Sequence, residues 1–230
     1  MNVQQFEKFL QAIDLKSYRD TYRTVKLVEM DLPKEIQAIE LMYEIYWDKK
    51  EFIDYESFYQ RYCTLKKDSL EAFRNKIGMC DTCFYRGLPA RIYRTWASII
   101  TQIHAGYVAE SVFGPQTVSM SAVLDHQGAD FQIKYKNAIL NYQVKKATFS
   151  REVRREKVSK KQIVGTFIDI KYEVPSDAYF TSPKKKDGTY RLPYKRFIEN
   201  KTLKRFDNGF VVFTRSIFEN EKAKIDRTSK

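Results

Sequence analysis

Gly128-Ala129-Asp130-Phe131-Gln132-Ile133-Lys134-Tyr135 and, beyond Lys136-Asn137, the run from Ala138 through Tyr142-Gln143-Val144-Lys145 to Phe149 decide how this chain folds. Both runs mix β-branched, aromatic and polar residues around a pair of turn composition, so they predict a β-hairpin. Side chains alternate faces along a strand. Gln143 and Lys145 therefore share one side of the second strand, while Tyr142 and Val144 point the other way, toward a core. Asp130, from the first strand, is placed to meet Gln143 and Lys145.

A carboxylate and an amide oxygen are hard ligands suited to Mg²⁺, and a nearby ammonium stabilises charge or orients water, which together suit phosphodiester hydrolysis. The pattern resembles that of the PD-(D/E)xK nuclease superfamily: an acid, a strand-length gap, then an acid and a lysine separated by one residue. Here Gln143 stands in the place of the second acid. A neutral amide holds Mg²⁺ more weakly than a carboxylate, so a further acid is expected. Asp125, five residues before Asp130, is the first candidate and Glu110 the second.

Outward from the hairpin, the amino-terminal portion, residues 1–85, carries apolar residues at helical intervals, as in Phe6, Leu10 and Ile13 or Ile36, Ile39, Tyr43 and Tyr46. It is expected to be mostly helical, with Tyr55, Phe58, Tyr59 and Tyr62 as packing residues. A helix from Ala90 to Tyr107 follows, in which His104 reads as a core residue sooner than a base. Gly114-Pro115 breaks that helix. Thr117 to Leu124 is then read as a strand that enters a polar bend at Asp125-His126-Gln127-Gly128.

Beyond the hairpin, Ser150 to Lys161 is a basic run with Ser150 as a plausible helix cap, and Arg154 and Arg155 are candidate phosphate contacts. Thr166 to Val174 alternates Phe167, Asp169, Lys171 and Glu173 with Ile168, Ile170, Tyr172 and Val174, the pattern of a half-buried strand. Lys184, Lys185 and Lys186 lie in a turn-rich segment suited to phosphate contacts. Arg191 and Arg196 are the better candidates for reading bases, because arginine makes bidentate contacts to guanine. The expected architecture is one α/β domain, 1–230, with a central mixed β-sheet flanked by helices; residues 86–230 hold the catalytic core and DNA-contacting segments.

Lysine and arginine outnumber aspartate and glutamate by 41 to 29, a net charge of +12 that favours a polyanionic partner such as DNA. No apolar run approaches the roughly 20 residues that span a bilayer, and no signal-peptide pattern opens the chain, which predicts a soluble, cytoplasmic protein. Three cysteines, Cys63, Cys80 and Cys83, are an odd number that argues against a disulfide framework. Cys80-Asp81-Thr82-Cys83 has the spacing of half a zinc site, which Cys63 or His104 would have to complete.

The resemblance extends well beyond the hairpin. Phe6 to Pro33, the cluster Tyr43-Glu44-Ile45-Tyr46-Trp47, Gly87 to Thr95, Ser98 to His104, Leu124 to Asp130, Tyr142 to Lys146 and Asn208 to Phe213 together resemble the TaqI family of type II restriction endonucleases, in the family's order. Little of the likeness falls between about Arg151 and Arg205. It implies a PD-(D/E)xK nuclease core and Mg²⁺-dependent cleavage of double-stranded DNA at TCGA, leaving 5′-phosphates. It also implies that Asp125 and Asp130 are the two family acids, Gln143 and Lys145 the glutamine and catalytic lysine, and that Lys146 faces away. A homodimer is expected on a palindromic site, with a cognate DNA methyltransferase as genetic partner. Two other readings of the residues are a repair or junction-resolving nuclease of the same superfamily and a non-catalytic nucleic-acid-binding protein.

Overall fold

The computed structural model describes residues 3–22, 32–147 and 163–228. The chain is α/β, with a mostly helical amino-terminal half and a mixed four-stranded sheet in the second half. It divides into two compact units, Gln4–Ile103 and one that begins at His104. The long helix α6 (Asp81–Phe113) contributes to both.

The first unit holds α1 (Val3–Ala12), α2 (Leu15–Tyr22), α3 (Ile39–Met42) running into a π-helical segment at Tyr43–Asp48, α4 (Tyr55–Leu65) and α5 (Lys67–Lys76). Its core is aromatic: Tyr55, Phe58, Tyr62, Tyr46 and Trp96 are all fully buried. Burying tyrosine is tolerable only where the hydroxyl finds a partner. Tyr46 accepts from Trp96 Nε1 at 2.8 Å and donates to the Ile53 carbonyl at 2.7 Å. The Tyr62 hydroxyl donates to the Ile36 carbonyl at 2.6 Å, and that of Tyr55 to the carbonyl of Pro89. The aromatic residues expected to pack do so.

Helix α6 is longer than the sequence reading at both ends. It begins at Asp81, capped by Cys80, whose sulfur accepts from the Cys83 amide at 3.3 Å. Pro89 lies inside it, so one helical donor is missing there. The helix stops at Phe113, where Gly114 takes φ 115°, a conformation open mainly to glycine.

A second difference follows at once. The strand expected from Thr117 to Leu124 is confined to β1 (Val118–Ser119), and α7 (Ala122–His126) takes the rest. Ser121 explains the change: its hydroxyl accepts from the Leu124 amide at 3.2 Å, an N-cap that the apolar run concealed. The Gly128 amide closes the turn onto the Asp125 carbonyl at 2.9 Å, and the Ala129 amide reaches the Leu124 carbonyl at 3.0 Å.

The sheet has the order β1-β2-β3-β4, with β2 (Phe131–Tyr135), β3 (Ala138–Ala147) and β4 (Thr166–Glu173). β1, β2 and β3 are antiparallel, and β4 runs parallel to β3. Tyr135 pairs with Ala138 across a two-residue loop in which Lys136 takes φ 51°. The predicted hairpin therefore forms, with Lys136-Asn137 as its turn.

One face of the sheet is apolar. Phe131 stacks on Tyr142 at 5.0 Å, and Phe218 of α10 (Ser216–Thr228) meets both rings edge-on at 6.0 and 5.6 Å. Such pairs contribute about 0.5–1.5 kcal/mol each beyond the area they bury. Asp226 of α10 ties down the hairpin tip, through Lys136 at 2.5 Å and the Tyr135 hydroxyl at 3.0 Å. The opposite face carries Gln132 and Lys134 of β2, Asn141, Gln143 and Lys145 of β3, and Asp169 and Lys171 of the strand beside it. The remaining elements are α8 (Asp177–Thr181), α9 (Leu192–Glu199), and the antiparallel pair β5 (Leu203–Arg205) and β6 (Val211–Phe213).

Candidate active site

Asp130 immediately precedes β2, and its backbone amide donates to the Tyr142 carbonyl at 2.8 Å. Asp130 lies just outside the paired register, and its contacts to β3 fall on Tyr142 and Val144, the residues either side of Gln143. The residue is buried, 5% exposed, and its Oδ2 accepts from the Val144 amide at 2.6 Å. Gln143 and Lys145 are half-buried on the polar face. Lys146 pairs with Tyr172 on the other. The alternation read from the sequence holds from Ala138 to Lys146, while Thr148 and Phe149 lie outside the described residues.

β4 adds a residue that the sequence reading had noted only as part of an alternating strand. In the parallel register Gln143 pairs with Asp169 and Lys145 with Lys171. Lys145 Nζ bonds the Asp169 carboxylate at 2.8 Å, with both side chains about two-fifths exposed at 42% and 40%. The signal for Asp169 was its place on the polar side of the strand. Which residue of β3 it would meet depends on the crossover between strands, and no local pattern specifies that.

Below this row lies a buried amide. Asn141 is fully buried; its Oδ1 accepts from Gln132 Nε2 at 2.8 Å, and its Nδ2 donates to the Val164 carbonyl at 3.1 Å. One side chain thus ties β2, β3 and the entrance to β4. Gly165 completes the approach: at φ 124°, a Cβ there would lie 2.6 Å from the Ile139 carbonyl oxygen.

The two other acids differ in their surroundings. Asp125 is half-buried on α7, just before the tight turn that leads to Asp130. Glu110, near the end of α6, accepts from the Gln116 amide at 3.1 Å and so caps the turn that follows the helix. Among the described residues no three His, Cys, Asp or Glu side chains are gathered as a ready-made metal cage. The donors at Asp130 and Gln143 are hard oxygens, which fits Mg²⁺, an ion commonly held by one or two carboxylates, with water and substrate phosphates completing its shell.

The basic candidates are spread over the following segments. Lys184, Lys185 and Lys186 are exposed on a turn closed by the Lys184–Tyr190 bridge. Arg191 uses Nε to bond the Ser182 carbonyl at 3.2 Å, holding its own loop together. Arg196 lines a cleft of about 320 Å³ with Lys171 and Glu173 of β4 and Phe197 and Asn200 of the α9 end. Lys171 therefore connects this cleft to the polar row beside Lys145. Arg154 and Arg155 lie outside the described residues.

The cysteine pair sits elsewhere, at the start of α6. The Cys83 thiol and backbone amide both donate to Cys80, which lowers the Cys80 pKa below the ordinary thiol range. Burial raises that of Cys63. His104 is fully buried, as a core histidine is. No helix among the described residues is long and apolar enough to cross a membrane.

The comparison of the whole chain with known proteins gives its family. The family model described as TaqI restriction endonuclease matches residues 3–224, and the chain belongs to that family, whose members are type II site-specific deoxyribonucleases. It is 33% identical over 225 residues to the type II restriction enzyme TaqI of Thermus aquaticus, covering 93% of this chain and 84% of that protein. It is 31% identical over 222 residues to the type II restriction enzyme TthHB8I of Thermus thermophilus, with the same coverage, 93% and 84%. No solved structure matches the chain.

Proposed function

We propose that this protein is a cytoplasmic Mg²⁺-dependent restriction endonuclease with a PD-(D/E)xK core, which hydrolyses double-stranded DNA at TCGA and leaves 5′-phosphates. The observation that carries the reading is the tie between the Asp130 carboxylate and the Val144 amide, which holds the acid against the Gln143-Val144-Lys145 segment of β3. Membership of the TaqI family supports the substrate and the site.

Asp130 and Gln143 would hold the ion, with Asp125 as a further acid beside them. When bound, Mg²⁺ supplies Lewis-acid polarisation of the scissile phosphate. Lys145 contributes a positive charge next to the reacting group and orients the attacking water. The buried backing of Phe131 and Tyr142 keeps the strands rigid, so these groups need little reorganisation during reaction.

Exposed Lys184, Lys185 and Lys186 suit phosphate contacts, as do Arg154 and Arg155 in sequence terms, while Arg196 and Arg191 are the proposed base-reading residues. A homodimer would present one such site to each strand of a palindrome. A host that makes this enzyme needs its own sites protected, hence a partner methyltransferase of the same specificity.

The test is to digest defined linear DNA with and without Mg²⁺ and map the ends. Cuts at TCGA bearing 5′-phosphates are expected only with the metal. Random ends would remove the sequence assignment, and intact DNA would remove the nuclease.

A further inference from the structure

Gln143 leaves this site one negative charge short. An amide oxygen ligates a divalent cation without offsetting its charge, so Asp130 alone faces two positive charges among the residues of the Asp130–Gln143 pair. The parallel pairing of β4 supplies a candidate for the missing charge, since Asp169 stands directly beside Gln143 in register. Asp130 approaches the same stretch of β3 from the other side, its amide bonded to the Tyr142 carbonyl and its carboxylate to the Val144 amide. β3 lies between β2 and β4, each strand about 4.8 Å from the next, so Gln143 stands between the segment that begins at Asp130 and the strand that carries Asp169.

We propose that Asp169 is a metal-ligating carboxylate of this site and takes over the role of the acid that Gln143 replaces. The inference rests on the nuclease reading above and extends it to a residue outside the Asp–Gln-x-Lys motif. Asp169 accepts from Lys145 Nζ at 2.8 Å. That pair is about two-fifths exposed on either side, 42% and 40%, and exposed ion pairs of this kind are worth about 0–1 kcal/mol. A divalent cation therefore displaces the ammonium at little cost. With an ion bound, Asp169 would be its second carboxylate, and Lys145 would be free to face the scissile phosphate.

An ordinary cross-strand ion pair has the same appearance without metal, so the test must read metal binding apart from cleavage. Mn²⁺ binding to the full-length protein without DNA is measured by electron paramagnetic resonance for wild type, Asp169→Asn and Asp169→Glu, alongside DNA cleavage and thermal melting. Asp169→Asn is expected to weaken Mn²⁺ binding at least about tenfold, the lower end of what losing even an outer partner of a metal costs. Its cleavage should recover partly at high Mn²⁺. Asp169→Glu, which keeps the charge, should bind within a few-fold of wild type, by about the spread expected for a retained ligand type. Wild-type Mn²⁺ affinity in Asp169→Asn overturns the inference, whether cleavage falls, as for a residue that only positions Lys145, or stays unchanged, as for a surface pair. If wild type neither binds Mn²⁺ nor cuts DNA, the nuclease reading and this inference fail together; if it does both and only the Asp169 result is negative, the nuclease reading stands.

Discussion

Asp130 accepts a 2.6 Å hydrogen bond from the backbone amide of Val144, the residue that separates Gln143 from Lys145. The carboxylate is thus both a site group and a fastener between strands, and substitutions can separate the roles. Asp130→Asn keeps an oxygen for the Val144 amide and loses the charge. Cleavage should fall by about 100-fold or more, at the upper end of metal-site substitutions, with little change in the urea midpoint. Asp130→Ala also orphans the amide and should cost about 1–3 kcal/mol in addition. Full cleavage by the asparagine variant would dismiss Asp130 from the site.

Gly165 and Gly188 both take positive φ, 124° and 82°, but only the first is crowded, with the Asn141 side-chain nitrogen 2.8 Å from where a Cβ would stand and Gly188 open to 4 Å. Alanine at Gly188 should cost about 1 kcal/mol from the backbone alone. Alanine at Gly165 must also move β3 or β4, and about 1–3 kcal/mol is expected together with reduced cleavage. Equal urea midpoints for the two variants would show that the close approach is unimportant.

In the helical unit, Tyr46→Phe removes the acceptor for Trp96 Nε1 and the donor to the Ile53 carbonyl in one change. The ring still fits, so the loss isolates the hydrogen bonds. Denaturant unfolding should show about 1–3 kcal/mol of destabilisation. A change below the error of the measurement would mean that water replaces both partners.

The three thiols should differ in how their alkylation responds to pH, because the thiolate is the nucleophile. Hydrogen bonds from Cys83 lower the pKa of Cys80, and burial raises that of Cys63. As pH rises, iodoacetamide should therefore modify Cys80 before Cys83 and Cys63, whose pKa values are both raised, read by peptide mass spectrometry. Cys83→Ala removes the thiol donor and should move the onset at Cys80 to higher pH. An onset shared by Cys80 and Cys63 would contradict the hydrogen-bonded pair.

Much of the sheet was readable because its cues are local. Period-two alternation in Phe131–Tyr135 and Tyr142–Lys145, with Lys136-Asn137 between them, specifies a hairpin and its faces. The helix α7 was missed because Val123 and Leu124 read as strand residues until the Ser121 cap is recognised. The α6 boundaries were drawn too tightly because Gly87 and Pro89 resemble helix breakers, yet the aromatic packing around Tyr55 and Trp96 overrides them. Asp169 was visible as a polar-face residue, but its meeting with Lys145 is a fact of non-local register.

Asn141 draws these strands together from two residues before Gln143. Strand pairing tolerates no half measures: a slip of one position would turn Gln143 and Lys145 to the apolar side and bring Val144 out in their stead. The buried amide therefore acts as an index mark for the sheet, and the information that aligns the site is held partly by a residue with no chemistry of its own. A search for loss-of-cleavage variants should accordingly return changes at Asn141 that leave Asp130, Gln143, Lys145 and Asp169 untouched, in proteins that are still folded but out of step.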